Sequence, residues 1–165
     1  MSLRHRLYGS EAFLCRRNGK ELEIQNIKEV KRLLREILQE DKRKIRYIIE
    51  KYPYERLVEC VELNGRCFTE EALLENNLEI SDLLHIVELI PQLIEDLEQG
   101  RKSKLWDKLQ EDVFELLLHV SANRIFRLLF VQFGGIQFLN GFIKKTPKTP
   151  AAEIAKAVEI KKQLL

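Results

Sequence analysis

The residues of this sequence that could most readily take part in chemistry are five basic ones between positions 124 and 148: Arg124, Arg127, Lys144, Lys145 and Lys148. Residues 101–165 carry 12 lysines and arginines against 6 acidic residues, a net charge of +6, whereas residues 1–100 carry 16 against 20, a net of −4. A basic segment of this kind attracts phosphate backbones. On charge alone, however, a solvated surface of uneven sign is the commoner explanation.

The other reactive residue types indicate neither a metal site nor a disulfide framework. The chain has three cysteines and three histidines, none paired at metal-ligand spacing: Cys15, Cys60, Cys67, His5, His85 and His119. We therefore predict no metal and no cofactor. An odd number of cysteines without a CxxC pair is typical of a reducing compartment, which predicts a cytoplasmic protein.

The composition predicts a globular chain. Of the 165 residues, 45% are hydrophobic and 33% are charged, which fits one domain or two small ones. No apolar run approaches the length of about 18 residues that a membrane helix needs, so we expect no membrane partner. The basic residues 1–6 are not followed by the apolar core of a secretory signal, so secretion is not expected.

The N-terminal part is predicted to be mainly helical. Residues 7–25 allow a short β-hairpin, and an amphipathic helical pattern follows Asn26, a suitable N-cap. This pattern breaks near Asp41 and must stop or restart at Pro53, because proline interrupts a helix.

Three more helices are predicted before residue 101. Two are short, over residues 54–63 and 69–74. The third is long, with Ser81 as its N-cap and Gly100 as its C-cap. Pro91 lies inside it and predicts a kink or a boundary there.

After residue 100 the pattern changes to β structure. Strands are predicted over residues 113–120, 124–133 and 136–142, joined by turns at 121–123 and at 134–135. A last helix is expected to follow Thr149-Pro150. The predicted fold class is therefore α+β, with a helical N-terminal part and an antiparallel sheet packed with helices.

Arg127 is unusual within the second of these strands. Alternation places it on the same face as Leu129 and Val131. A cation among apolar neighbours needs an anionic partner. Either an RNA phosphate or Glu115 on the neighbouring strand would serve.

The C-terminal motifs carry a resemblance to a known family. Residues 139–150 read LNGFIKKTPKTP, residues 127–130 read RLLF and residues 115–117 read ELL. Over about residues 81–165, this pattern resembles the HigB-like, phage-derived branch of the RelE toxin superfamily. The FxKKTxKTP spacing is the most specific part of the match, and residues 105–109 match a loop of the family.

The resemblance implies the toxin of a toxin–antitoxin pair, a compact α+β protein that enters the ribosomal A site and cleaves mRNA without a metal. Its partners would then be an antitoxin protein, the ribosome and mRNA. On this interpretation, the catalytic residues are Arg127, Lys145 and His119, and the RNA-binding residues are Arg124, Lys144 and Lys148. Without the resemblance, His119 is more simply interpreted as a structural residue.

One departure from the family concerns activity. The arginine of the family's ELR signature is Leu117 here. If that arginine contacts the scissile phosphate, its loss removes about 2–4 kcal/mol of electrostatic stabilisation. The chain would then cleave weakly, use Arg124 instead, or keep the fold for binding alone.

A second departure concerns length, because typical members of the family are shorter. Either residues 45–80 are an insertion, or residues 1–78 form a separate helical part. We favour a helical segment over residues 1–78 that packs on a toxin-like domain over residues 79–165.

Overall fold

The structure is a computed structural model that describes residues 13–17, 20–24, 27–52 and 57–164. Its strands are β1 (Phe13–Arg17), β2 (Lys20–Ile24), β3 (Val58–Cys60), β4 (Trp106–Lys108), β5 (Phe114–Val120), β6 (Arg124–Gln132) and β7 (Ile136–Ile143). Its helices are α1 (Ile27–Glu40), α2 (Ile45–Lys51), α3 (Phe68–Glu75), α4 (Ile80–Gln99) and α5 (Ala151–Lys161), with 3₁₀ turns at Lys42–Lys44 and Lys162–Leu164. The predicted α+β class is confirmed.

The main sheet has five strands in the order β3-β7-β6-β5-β4. Strands β4 to β7 pair antiparallel, which confirms the predicted β5-β6-β7 meander. The sheet is mixed, however, because β3 pairs parallel to β7. Strands β1 and β2 form a two-stranded hairpin, as predicted for this part of the chain, and the expected turn between them lies outside the described residues.

The helix predicted over residues 54–63 is wrong where the structure describes it. Residues 58–60 form β3, with Val58 and Cys60 buried and Glu59 exposed, which is the alternation of a strand. Phe138 O in β7 accepts a hydrogen bond from the Val61 N–H at 2.9 Å. The edge of β7 therefore determines this conformation, and a short sequence pattern does not reveal that partner. Likewise, residues 105–109, which the resemblance predicts to be a loop, contain β4.

The sheet lies between two helical layers. Even-numbered residues of β5 and β6 face α1 to α4, and the buried centre of this side contains Leu116, Leu118, Phe126, Leu128 and Phe130. The opposite face packs on α5 through a smaller cluster that includes Leu129, Val131, Leu139, Ala157 and Ile160. Helices from the predicted N-terminal part thus share one core with the sheet, and the division at residue 78 stays a prediction.

The long helix α4 follows the prediction except at its start. The N-cap is Glu79, whose backbone N–H donates to the Asp82 carboxylate at 2.9 Å, so the prediction of Ser81 as the cap is wrong. The helix runs through Pro91, which therefore does not mark a boundary. It ends after Gln99 at Gly100, whose φ of 64° confirms the predicted C-cap.

The break predicted near Asp41 is confirmed. Asp41 caps the 3₁₀ turn between α1 and α2, because its carboxylate accepts a hydrogen bond from the Arg43 N–H at 3.0 Å. The N-cap predicted at Asn26 lies outside the described residues. None of the helices in the described ranges is long and apolar enough to cross a membrane.

Gly141 is the glycine of the LNGF motif, and it lies where a side chain would not fit. A Cβ at this position would lie 2.8 Å from Leu128 Cδ2 and 3.0 Å from Phe126 Cζ, both on the neighbouring strand β6. A side chain here would therefore displace the buried centre of the sheet. The glycine lets β7 lie against β6 directly before the lysine-rich segment begins.

Candidate functional site

A buried ion pair lies on the α5 face of the sheet. Arg127 of β6 is 4% exposed and Glu115 of β5 is 5% exposed, and Arg127 Nη1 lies 3.2 Å from Glu115 Oε2. Of the two partners that the sequence allowed for Arg127, the structure therefore has Glu115. Because both side chains are buried, each charge is stabilised by the other, and loss of either one would leave a costly unpaired charge inside the protein.

The same guanidinium holds the segment that connects β7 to α5. Thr149 Oγ1 accepts a hydrogen bond from Arg127 Nη1 and donates one to Glu115 Oε2 at 2.6 Å. Arg127 Nη2 also donates to Pro147 O at 3.1 Å. The sequence predicts Thr149 only as the start of a helix. The one sequence signal for this role is its position in the KTP motif.

The segment held in this way, residues 144–149, carries three lysines, and we call it the lysine segment. Lys144 is half-buried, and its backbone N–H donates to Ile125 O at 2.7 Å, whereas Lys145 and Lys148 are exposed. Among the described residues, none of these three ammonium groups makes an ion pair or a hydrogen bond. Their charges are therefore available to an external anion.

His119 lies near Lys144 across the sheet. His119 is exposed and is paired with Ile125, the residue whose carbonyl accepts from the Lys144 backbone. Neighbouring strands lie about 4.8 Å apart, so the backbones of His119 and Lys144 are about 10 Å apart. An imidazole and an amine at this separation can reach a phosphodiester placed over Ile125.

Leu117 lies on the same face as His119, two residues before it on β5. It belongs to a row of three paired residues that crosses β5, β6 and β7. It is directly opposite Arg127 on β6, and Arg127 is in turn opposite Phe142 on β7. Leu117 is half-buried, and the Arg127 guanidinium is turned to Glu115. This row therefore presents no exposed guanidinium among its described residues.

Arg124 belongs to a different part of the structure. Its guanidinium donates to Asn76 O at 2.6 Å, Asn77 O at 2.9 Å and Ser121 O at 3.0 Å. It therefore joins the β5–β6 turn to the loop between α3 and α4. Alternation along β6 also separates it from Ile125, which lies on the side of His119.

Asp82 supports the same turn from the start of α4. Its carboxylate accepts hydrogen bonds from Ser121 Oγ at 2.7 Å and from the Ser121 N–H at 2.9 Å. Burial raises the pKa of Asp82, but these bonds, the Glu79 N–H and the charge of Arg124 outweigh it and hold the pKa below its ordinary value of 3.8. The ionised carboxylate thus stabilises the turn that precedes Arg124.

We expect Asp82→Asn to lower the free energy of unfolding at pH 7 by about 1–3 kcal/mol, because buried donors lose a charged acceptor. The folded-state pKa lies below 3.8, so this stabilisation is complete above the unfolded pKa and is lost as the pH falls through the folded one. Denaturant unfolding of both proteins at pH 7 and below pH 3.8 measures it. A difference in stability that does not shrink in acid would contradict this role.

The arrangement separates the six predicted site residues into two groups. Lys144, Lys145 and Lys148 have charges that can bind phosphate, and the exposed His119 lies across β6 from Lys144. Arg127 and Arg124 instead bind protein oxygens and hold the elements on which the others lie.

Comparison with known proteins adds one finding. Residues 85–162 match the family described as Phage derived protein Gp49-like (DUF891), a family of RelE/toxin-like proteins. The matched range contains β4 to β7, the three lysines and α5. No curated protein matches the chain.

Proposed function

We propose that this chain is a HigB-like toxin of a toxin–antitoxin system, on the basis of the similarity of residues 85–162 to a phage-derived, toxin-like family. Its activity on this proposal is ribosome-dependent cleavage of mRNA, weakened by Leu117. Its partners are an antitoxin protein, the ribosome and mRNA, and its location is the cytoplasm. The observation that carries the proposal is the lysine segment: Arg127 holds it through Thr149 and Pro147, and Lys144 lies across β6 from the exposed His119.

The proposed reaction needs no metal. The ribose 2′-hydroxyl attacks the neighbouring phosphorus, and negative charge develops on the phosphate oxygens. The bond from phosphorus to the 5′ oxygen of the next nucleotide breaks, which leaves a 2′,3′-cyclic phosphate on one product and a 5′-hydroxyl, protonated from water, on the other. Lys144 and Lys145 stabilise that charge, and Lys148 holds the adjacent backbone. His119 accepts the hydroxyl proton, a role worth about 10²–10⁴-fold in rate. Arg127 acts as a positioning residue through Pro147 and Thr149.

A second candidate function is binding without cleavage. Leu117 replaces the arginine of the family signature, and Arg127 is bound to Glu115 inside the protein. The face then holds RNA or a protein partner but lacks a guanidinium for the transition state. Both candidate functions use the lysine segment, and they differ in whether the mRNA is cleaved.

Translating ribosomes incubated with the full chain should give new mRNA 5′ ends. We expect Lys144→Ala/Lys145→Ala/Lys148→Ala to remove these ends and to weaken RNA binding. The slope of the logarithm of the RNA-binding constant against the logarithm of the salt concentration should become shallower by up to about 0.7–0.9 for each phosphate that the variant no longer binds. Primer extension on the mRNA and fluorescence anisotropy at several salt concentrations measure the two effects.

A matched control removes the same charge elsewhere. Lys102→Ala/Lys104→Ala/Lys162→Ala changes three exposed lysines outside the segment and should leave both measurements near those of the wild type. No new ends and unchanged translation would exclude the enzymatic function. An unchanged salt slope would show that the segment does not contact RNA.

A further inference from the structure

Two of the three cysteines lie together in the core where α3 begins. Cys60 ends β3 and is 3% exposed, and Cys67 directly precedes α3 and is 5% exposed. Their thiol groups are close enough to hydrogen-bond to each other. Both are free thiols, and the proposed function uses neither of them.

A tight turn of the chain brings the two cysteines together. Leu63 and Arg66 exchange backbone hydrogen bonds of 2.8 and 3.0 Å, and the two residues between them, Asn64-Gly65, both have positive φ. Asn-Gly is the pair that best suits such a hairpin turn. When this pairing is continued by one residue, Cys60 and Cys67 lie diagonally opposite each other on one face of the hairpin.

The surroundings of the two sulfurs differ in charge. Cys67 Sγ caps α3, where it accepts a hydrogen bond from the Glu70 N–H at 3.4 Å. Arg46 Nη2 of α2 donates to Cys60 O at 3.2 Å, so a guanidinium lies beside the pair. The Glu50 carboxylate accepts from the Cys60 N–H at 3.1 Å. The cation and the helix N-terminus favour a thiolate at Cys67, whereas the carboxylate disfavours one at Cys60.

These influences separate the pKa values of the two thiols. The Cys60 thiol, the Glu70 N–H and the charge of Arg46 lower the pKa of Cys67, although burial opposes them. Contact with Cys67, burial and the charge of Glu50 raise the pKa of Cys60. Cys67 is therefore the thiol that ionises first, and the thiolate is the form of cysteine that oxidants attack.

We propose that Cys60 and Cys67 form a redox-active pair that hydrogen peroxide converts to a disulfide. The Cys67 thiolate attacks a peroxide oxygen, the O–O bond breaks, and the hydroxide that leaves is protonated to water, so that Cys67 becomes a sulfenic acid. The Cys60 sulfur then attacks the Cys67 sulfur. The S–S bond forms, the S–O bond breaks, and hydroxide leaves with the Cys60 proton as water. The pair is oxidised by two electrons, and the peroxide is reduced to water.

The position of the pair favours this oxidant and separates the reaction from the lysine segment. Burial of both sulfurs excludes oxidants of the size of glutathione or a protein, whereas hydrogen peroxide is close to water in size. Strand β3 pairs with the first residues of β7, and the lysine segment follows the last. The pair can therefore be tested independently of RNA binding and cleavage.

The test treats the reduced full chain with hydrogen peroxide, unfolds it in a thiol-blocking reagent and maps the tryptic peptides by mass spectrometry. Trypsin cleaves after Arg66, so Cys60 and Cys67 fall in different peptides, which a disulfide joins. We expect this joined pair in the wild type. Cys60→Ser should stop at a sulfenic acid on Cys67 that dimedone captures, and Cys67→Ser should slow oxidation of Cys60 about tenfold or more.

Cys15→Ser is the matched control, because it removes the third thiol and leaves the pair unchanged. It should form the same disulfide at the wild-type rate. Cys60 and Cys67 that both stay thiols in peroxide, a wild-type disulfide that includes Cys15, or oxidation of Cys60 at the wild-type rate in Cys67→Ser would overturn the proposal. Circular dichroism verifies that each variant is folded, and the wild-type map needs no variant.

Discussion

Leu117→Arg is expected to increase ribosome-dependent mRNA cleavage by about 10²–10³-fold and to cause growth arrest when the protein is expressed in bacteria. The change restores a cation at the position where the toxin family has one. A preformed cation near a developing phosphorane acts mainly on the transition state, so the cleavage rate should change more than RNA affinity.

Position 117 lies on the α5 face of the sheet. Leu117 is half-buried and opposite Arg127, whose charge is already neutralised by Glu115. The introduced guanidinium would extend along the same face as His119, two residues further on β5. It would therefore lie on the same face as the His119 imidazole and the lysine segment. The neighbouring Arg127 would add little repulsion, because its charge is neutralised by Glu115.

Leu117→Gln is the control, since it adds a polar group of comparable length without charge. It should behave like the wild type in cleavage and in growth. Mapping of mRNA 5′ ends on ribosomes and growth curves after induction measure the effect. Equal growth arrest by the wild type and Leu117→Arg would contradict the conclusion that Leu117 weakens this protein.

The β-meander and α4 could be predicted from sequence because their signals are local. Alternation over β5 and β6 and the turn at Gly134-Gly135 need no distant partner. The position of β3 could not be predicted in this way. Three residues carry too little alternation, and their strand conformation depends on β7, where Ile136 pairs with Val58.

The site shows the same division between local and distant information. The sequence predicts that Arg127 needs an anion and offers Glu115 as one option. It does not reveal that Thr149 and the Pro147 carbonyl complete the set, because these contacts span 22 and 20 positions. The sequence likewise predicts that Arg124 binds RNA, whereas its partners in the structure include carbonyls 47 and 48 positions away.

Arg127→Leu is expected to lower the free energy of unfolding by about 3–5 kcal/mol, because it leaves the Glu115 carboxylate buried without a counter-charge. Replacing both partners, in Glu115→Leu/Arg127→Leu, should restore most of this loss, since apolar side chains suit the neighbouring cluster of Leu129 and Val131. Denaturant unfolding of the wild type, both single variants and the double variant gives the coupling energy.

The double variant also separates stability from the positioning of the lysine segment. It should fold, yet Pro147 and Thr149 lose their hydrogen bonds to Arg127, so the segment is no longer held beside β6. RNA binding through Lys144, Lys145 and Lys148 should therefore weaken although the protein remains stable. A stable double variant with wild-type RNA affinity would show that the ion pair supports only the fold. Weak binding in that stable background would establish Arg127 as the residue through which the sheet positions the lysines.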